Sequence, residues 1–339
     1  MPSLYEQFMA AGSVRSLMNG REFIPVKASP VSLRLQEAFE QKPGDTSFKR
    51  LKKIQRMIEE SPVGREVLEA AKQTGTRFRL DNSLTECSGV YSYEERSILL
   101  NAKESDAYLA TTMVHEARHA WQAEQAVQLD PSLNVKSFFM TGFAIEADAV
   151  AREAYFANDV RGKHPEIWQT LLEDKYAPVA HAFQEGIRRN NMLRDGLDSA
   201  FQAWYTVSSV PLYGADYVNF LEKSCKNPVC ASRREFLNTS VSAEQLAAAI
   251  CTQRGETYLR NPAVLESPEK LNLREEDKER LDKALISWAK QAHRSPDVGS
   301  DAIFVRNRDG SYTPGKKLAF EKPQANPLWR YPYQQRNGR

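Results

Sequence analysis

The segment His115-Glu116-Ala117-Arg118-His119 sets two imidazoles four residues apart, with a carboxylate next to the first. On a helix, residues i and i+4 share a face one turn apart, so both rings can reach one ion. Glu116 is rotated about 100° from His115, which suits a carboxylate beside an ion rather than on it. From there it can take a proton from a water activated by the ion and hand it to a leaving amine. The ion supplies the rest, lowering that water's pKa toward about 7 and polarising the scissile carbonyl. With 5 histidines in 339 residues, an accidental HExxH is expected in fewer than about one such chain in a hundred. The competing reading is an exposed helix whose histidines merely flank a Glu–Arg pair. Against it, TTMV before the motif and AW after it are small or apolar, so the helix is buried on at least one side. Two histidines and a glutamate there need partners.

Two histidines do not complete a catalytic zinc site, which takes three protein ligands and a water. WQAEQAVQ follows the motif and brings no third histidine, while His164, His181 and His293 stand in unrelated contexts and read as surface or core residues. Acidic candidates come from AIEADAVA, residues 144–151, where Glu146 and Asp148 lie among small and apolar neighbours. An unpaired carboxylate there is costly. The alanines would let this second helix approach the first closely.

The elements that must position these groups are legible as patterns. A helix is expected over Tyr108–Ala126, capped by Ser105 or Asp106, and another over Val135–Asn158, with Gly142 marking a bend or a late start. Upstream, Thr76–Leu80 alternates as a half-buried strand does, and GVYSYEERSILLNA suggests strands at Gly89–Tyr93 and Arg96–Leu100 around a turn near Glu94–Glu95. An extended substrate could add to the Arg96–Leu100 strand. The first 75 residues read as helices at Val31–Gln41, Thr46–Glu60 and Pro62–Gln73, with Gly75 as the terminator. Further helical pieces follow to His293, and the chain beyond reads as an irregular basic tail with at most a short strand at Ala302–Val305.

HEARHAWQ followed by IEADAVA resembles the gluzincin arrangement, HExxH with a downstream glutamate. It is especially similar to small bacterial metallopeptidases, including a domain-of-unknown-function group carrying HE(A/M)RHAWQ. GVYSYEERSILLNA likewise looks like the edge strand and lead-in of a zincin core. The resemblance spans about Thr76 to Asn158. It implies an α+β fold, predominantly helical, with a zincin-like core, a small antiparallel sheet and extra N- and C-terminal helices. The sequence departs from the pattern at one point. Several gluzincins carry the ligand glutamate four residues before the aspartate, where this chain has Ala144, so the duty falls to Glu146 or Asp148. Two residues apart, they point about 200° from each other on a straight helix and cannot both face one ion. The expectation is His115, His119 and Glu146 as zinc ligands and Glu116 as general base and then acid. Asp148, or less directly Glu153, would hold a histidine in the right tautomer. An oxyanion-stabilising hydroxyl is also needed, but nothing in the sequence selects among Tyr155, Tyr213 and Tyr217.

Organisation follows from these segments: a helical region over 1–75, the metallopeptidase core over 76–222, a helical region over 223–293 and the tail over 294–339. Charge excludes one class of partner, because 46 basic against 44 acidic residues provide no basic surplus for nucleic acid. The basic stretch Ser47–Met57 and the charged stretch Leu273–Leu285 suit solvated helix faces. No apolar run is long enough to span a bilayer, and no Sec-type signal opens the chain, so a cytoplasmic protein is expected. Four cysteines, two of them enclosing KNPV, read as reduced thiols. The function expected is zinc-dependent peptide hydrolysis. The alternatives are a metal-binding regulator or toxin-like protein with a single partner, and a silent scaffold with a structural ion.

Overall fold

The protein is described here by a computed structural model covering residues 46–85, 87–93, 95–292 and 298–318. The helix expected over Val31–Gln41, His293, Glu94 of the expected turn and the chain beyond 318 lie outside the described residues. Two helices open the described chain, α1 (Thr46–Glu59) and α2 (Pro62–Gln73). The Ser61 hydroxyl starts α2 by accepting from Gly64 N at 3.2 Å, with Pro62 at the first helical position. Leu51, Ile54 and Ile58 of α1 and Val63, Val67 and Leu68 of α2 are buried.

Three strands follow: β1 (Arg77–Asp81), β2 (Gly89–Ser92) and β3 (Ser97–Asn101), in the order β1-β3-β2. Ser-Ile-Leu-Leu-Asn of β3 is buried at every residue and takes the centre. β2 pairs with it antiparallel and β1 parallel, Arg77 opposite Ser97. The sheet is thus mixed rather than antiparallel, because the loop after β1 carries the chain past β3 to the far edge before it turns back. The same order overturns strand addition at Arg96–Leu100. Both edges of that strand are occupied, and the outer edge beside the site belongs to β2.

The two site helices are α3 (Asp106–Glu124) and α4 (Val135–Val160). The cap of α3 is Ser105, whose side chain accepts from Tyr108 N at 3.2 Å. Asp106, in the first turn, bonds Arg50 at 2.7 Å and Lys53 at 2.8 Å and so ties α1 to the start of α3. Asn134 caps α4 by accepting from Ser137 N at 2.8 Å. Helix α4 runs unbroken through Gly142. The glycine serves close packing instead: a Cβ there would sit 2.6 Å from the Tyr217 ring, whose hydroxyl donates to Gly142 O at 2.9 Å.

Around α4 pack α5 (Pro165–Glu173), α6 (Ala177–Asn190), α7 (Leu193–Trp204) and α8 (Val210–Lys226). Phe139, Phe143, Trp204 and Tyr217 form an aromatic core between them. The chain continues through α9 (Pro228–Ala231), α10 (Ala243–Ile250) and the hairpin β4 (Thr252–Gln253)–β5 (Glu256–Thr257). It ends, among the described residues, with β6 (Asn272–Arg274), α11 (Glu275–Gln291), β7 (Phe304–Arg306) and β8 (Tyr312–Thr313). The described part of the expected tail is ordered more than its composition suggests. β7 pairs parallel with β6 and antiparallel with β8, and Val298 and Ile303 anchor it by burying their side chains. All four cysteines are free thiols, three of them buried.

Because α3 carries the histidines, its start is a direct test of how firmly it is held. Ser105→Ala is expected to cost about 1 kcal/mol of stability through loss of the cap, read as a lower urea midpoint. An unchanged midpoint would contradict the cap.

Candidate metal centre

Helices α3 and α4 run antiparallel, since partners on α4 descend as those on α3 ascend: His115 meets Glu153, Arg118 meets Asp148, His119 meets Glu146 and Gln122 meets Ile145. Fully buried Ala149 lies on the face of α4 between Glu146, Asp148 and Glu153 and leaves room for that approach, whereas Ala144, Ala147, Ala151 and Ala154 lie on the opposite side of the helix. The HExxH side chains are all buried.

His115, His119 and Glu146 come together as a group able to hold an ion. The two Nε2 atoms are 2.9 Å apart. Glu146 Oε2 lies 3.5 Å from His115 Nε2, and Oε1 lies 3.6 Å from His119 Nε2. Donors at the corners of a zinc tetrahedron, each 2.0–2.1 Å from the metal, are about 3.3–3.4 Å apart. The carboxylate stands near that spacing from both rings, while the two Nε2 atoms at 2.9 Å are about 0.4 Å closer than it and would part slightly around an ion. Asp148 does not join them; it turns to Arg118, Gln122 and Tyr258.

Both outer ring nitrogens are engaged. His115 Nδ1 bonds Glu153 Oε1 at 2.5 Å, and His119 Nδ1 bonds Gln122 Oε1 at 2.8 Å. With each Nδ1 held by an acceptor, each Nε2 is the ring atom turned toward its counterpart and toward Glu146. Glu153 reaches His115 because it is seven residues from Glu146, two helical turns on the same face. Of the two sequence candidates, Glu153 rather than Asp148 contacts a histidine directly.

The electrostatics of this gap favour a cation. Burial alone would lower the His115 pKa, but the charge of Glu153 and hydrogen bonds donated by the ring to Glu146 and Glu153 outweigh it and raise the pKa well above its ordinary value. Burial acts to raise the Glu146 carboxyl, yet the charges of His119 and His115 bring it below the usual range. Glu116 moves the other way, pushed up by burial against the pull of both histidines. Among the described residues no hydrogen bond holds its carboxylate, which leaves it able to accept a proton. Gly89 of β2 lies against it: a Cβ there would be 3.1 Å from Glu116 Cγ and 2.5 Å from Thr112 Cγ2.

The three tyrosines left open by the sequence take different places. Tyr217 is committed to Gly142 O, and Tyr155 stacks on Phe183. Tyr213 shares its hydroxyl with Tyr176 at 3.2 Å, and burial together with the charge of Glu146 holds its phenol well above the ordinary value. Gln122, Tyr176 and Tyr258 escape sequence reasoning. Gln122 alone left a signal, three residues after His119 on the same helix face.

One comparison with known proteins gives a family for the chain. The model of a family described as "Putative metallopeptidase family" (DUF6782) matches residues 33–227, more than half of the chain. The chain belongs to that family. No curated protein matches it, and no solved structure does.

The contact between β2 and α3 gives a structural test. Gly89→Ala would force a methyl onto Thr112 and the Glu116 stem, with an expected loss of about 1–3 kcal/mol from overpacking. The measurement is thermal or urea unfolding, and wild-type stability would show that strand and helix are not in close contact.

Proposed function

We propose that this chain is a zinc-dependent peptidase in which His115, His119 and Glu146 hold the metal and Glu116 is general base and then general acid. The observation that carries the reading is the convergence of two imidazole lone pairs and one carboxylate within zinc-ligand spacing, beside a buried carboxylate with no hydrogen-bond partner among the described residues. Two nitrogens and one oxygen are a donor set that suits zinc and leaves a fourth position for water. When bound, the ion would lower the pKa of that water and polarise the substrate carbonyl.

The remaining work falls to the chain's own groups. Burial makes the Glu116 carboxylate a stronger base than it is in water, which suits it to take a proton from the attacking water and return it to the departing amine. Glu153 and Gln122 keep the imidazole hydrogens on Nδ1, so the rings stay oriented through the reaction. β2 supplies the substrate edge. Asn101 N donates to Ser88 O at 2.9 Å, so alternation along the antiparallel pair aims the N–H and C=O of Gly89 and Tyr91 away from β3. A peptide adding there would run past Glu116, which glycine at 89 permits.

The test pairs metal content with hydrolysis. Purified protein should carry about one zinc per chain, and Glu116→Gln should keep it. That variant should lose about 10²–10⁴-fold in the rate of cleaving denatured casein, the range general acid–base catalysis contributes. Wild-type turnover in Glu116→Gln would refute the mechanism.

A further inference from the structure

Behind the metal face, α3 and α4 enclose a polar cluster that the proposed hydrolysis does not use. Its hub is Asp148, which has no exposed surface. Its two oxygens accept four hydrogen bonds. Oδ2 takes Arg118 Nε at 2.7 Å and Gln122 Nε2 at 2.8 Å, and Oδ1 takes Arg118 Nη2 at 3.2 Å and the Tyr258 hydroxyl at 2.7 Å. Arg118 also stacks on Trp121, its guanidinium carbon 3.6 Å from the ring centre.

The consequence runs through Gln122. Its amide nitrogen donates to Asp148 Oδ2 and, at 2.9 Å, to Ile145 O. Both are acceptors, so the amide cannot turn over without losing both bonds, and its oxygen is left facing His119 Nδ1. A carbonyl oxygen only accepts, which fixes the hydrogen on Nδ1 and the lone pair on Nε2. His115 receives a carboxylate directly, whereas His119 receives one through an intervening amide.

The hub is held from outside the family segment, which ends at residue 227. Tyr258 follows β5, and its backbone N closes the hairpin on Cys251 O at 2.8 Å. Ile250 O accepts from Arg118 Nη2 at 2.7 Å. Thr252 O and Gln253 Oε1 accept from the buried guanidinium of Arg152, one turn beyond Asp148 on α4.

We propose that Asp148 and Gln122 are positioning residues for His119, and that the segment 250–258 belongs to the support of the metal centre because it seats Asp148. The inference rests on the metal reading of the site and extends it to residues that touch neither ion nor substrate.

The test measures zinc affinity by competition with a chromophoric chelator in the full chain, alongside unfolding of the zinc-free protein. A merely structural role would lower the unfolding temperature and leave the affinity of the folded protein unmoved. Gln122→Met, which breaks the relay with a side chain of similar length, should weaken zinc binding about 10–100-fold. Tyr258→Phe, which removes one hydroxyl from the hub, should weaken it less, by up to about 10-fold. Wild-type affinity in both Gln122→Met and Tyr258→Phe overturns this inference alone. A wild-type chain that binds no zinc overturns the metal reading and this inference with it.

Discussion

Two imidazole nitrogens turned toward each other, 2.9 Å apart and backed by a carboxylate, are an arrangement that a water-poor interior holds only with a positive charge between them. Lone pairs repel, and a buried carboxylate without compensation costs several kcal/mol. A positive charge among them removes both penalties. The raised His115 pKa expresses the same demand, since the surrounding carboxylates draw a proton where a cation would sit. The antiparallel seating of α3 on α4 brings the groups around that gap together.

The supports of the two histidines are unequal. His115 leans on a carboxylate of α4, so its orientation depends only on the packing of two helices. His119 leans on Gln122, whose own orientation depends on Asp148 and, through Arg118 and Tyr258, on the chain near residues 250–258. The metal face is thus assembled from residues near in sequence, while its rear is closed by a segment more than 100 residues downstream. On the opposite side, β2 packs closely on Thr112 and Glu116 of α3 because residue 89 has no side chain.

Much of this was legible in the sequence, for physical reasons that also mark where legibility stops. HExxH is a local pattern on a single helix, and i,i+4 spacing is enough to bring the rings together. Glu146 and Asp148 both stood out as carboxylates among alanines on an apolar helix, and only the three-dimensional structure separates the one beside the histidines from the one bound by Arg118, Gln122 and Tyr258. The strands and both long helices fell within a few residues of their expected places because alternation and caps are local signals. Sheet order was not legible, since pairing β1 with β3 depends on a crossing that no local pattern encodes, and the strand expected to offer a free edge is instead central. Asp148 was expected at a histidine and instead sits one amide away. That difference turns on Arg118 and Tyr258, whose convergence is long-range. The sheet contributed by residues near 304–313 hides in a polar composition, because its anchors among the described tail residues are a few separated apolar side chains such as Val298 and Ile303.

The central claim is that one cation sits between α3 and α4, and crystals grown with zinc and measured at the zinc absorption edge test it most directly. The account predicts a strong anomalous peak bonded by Nε2 of His115, Nε2 of His119 and the carboxylate of Glu146, at about 2.0–2.2 Å from each. Ordered side chains at these three positions with no peak among them, or a peak held by other residues, would contradict it.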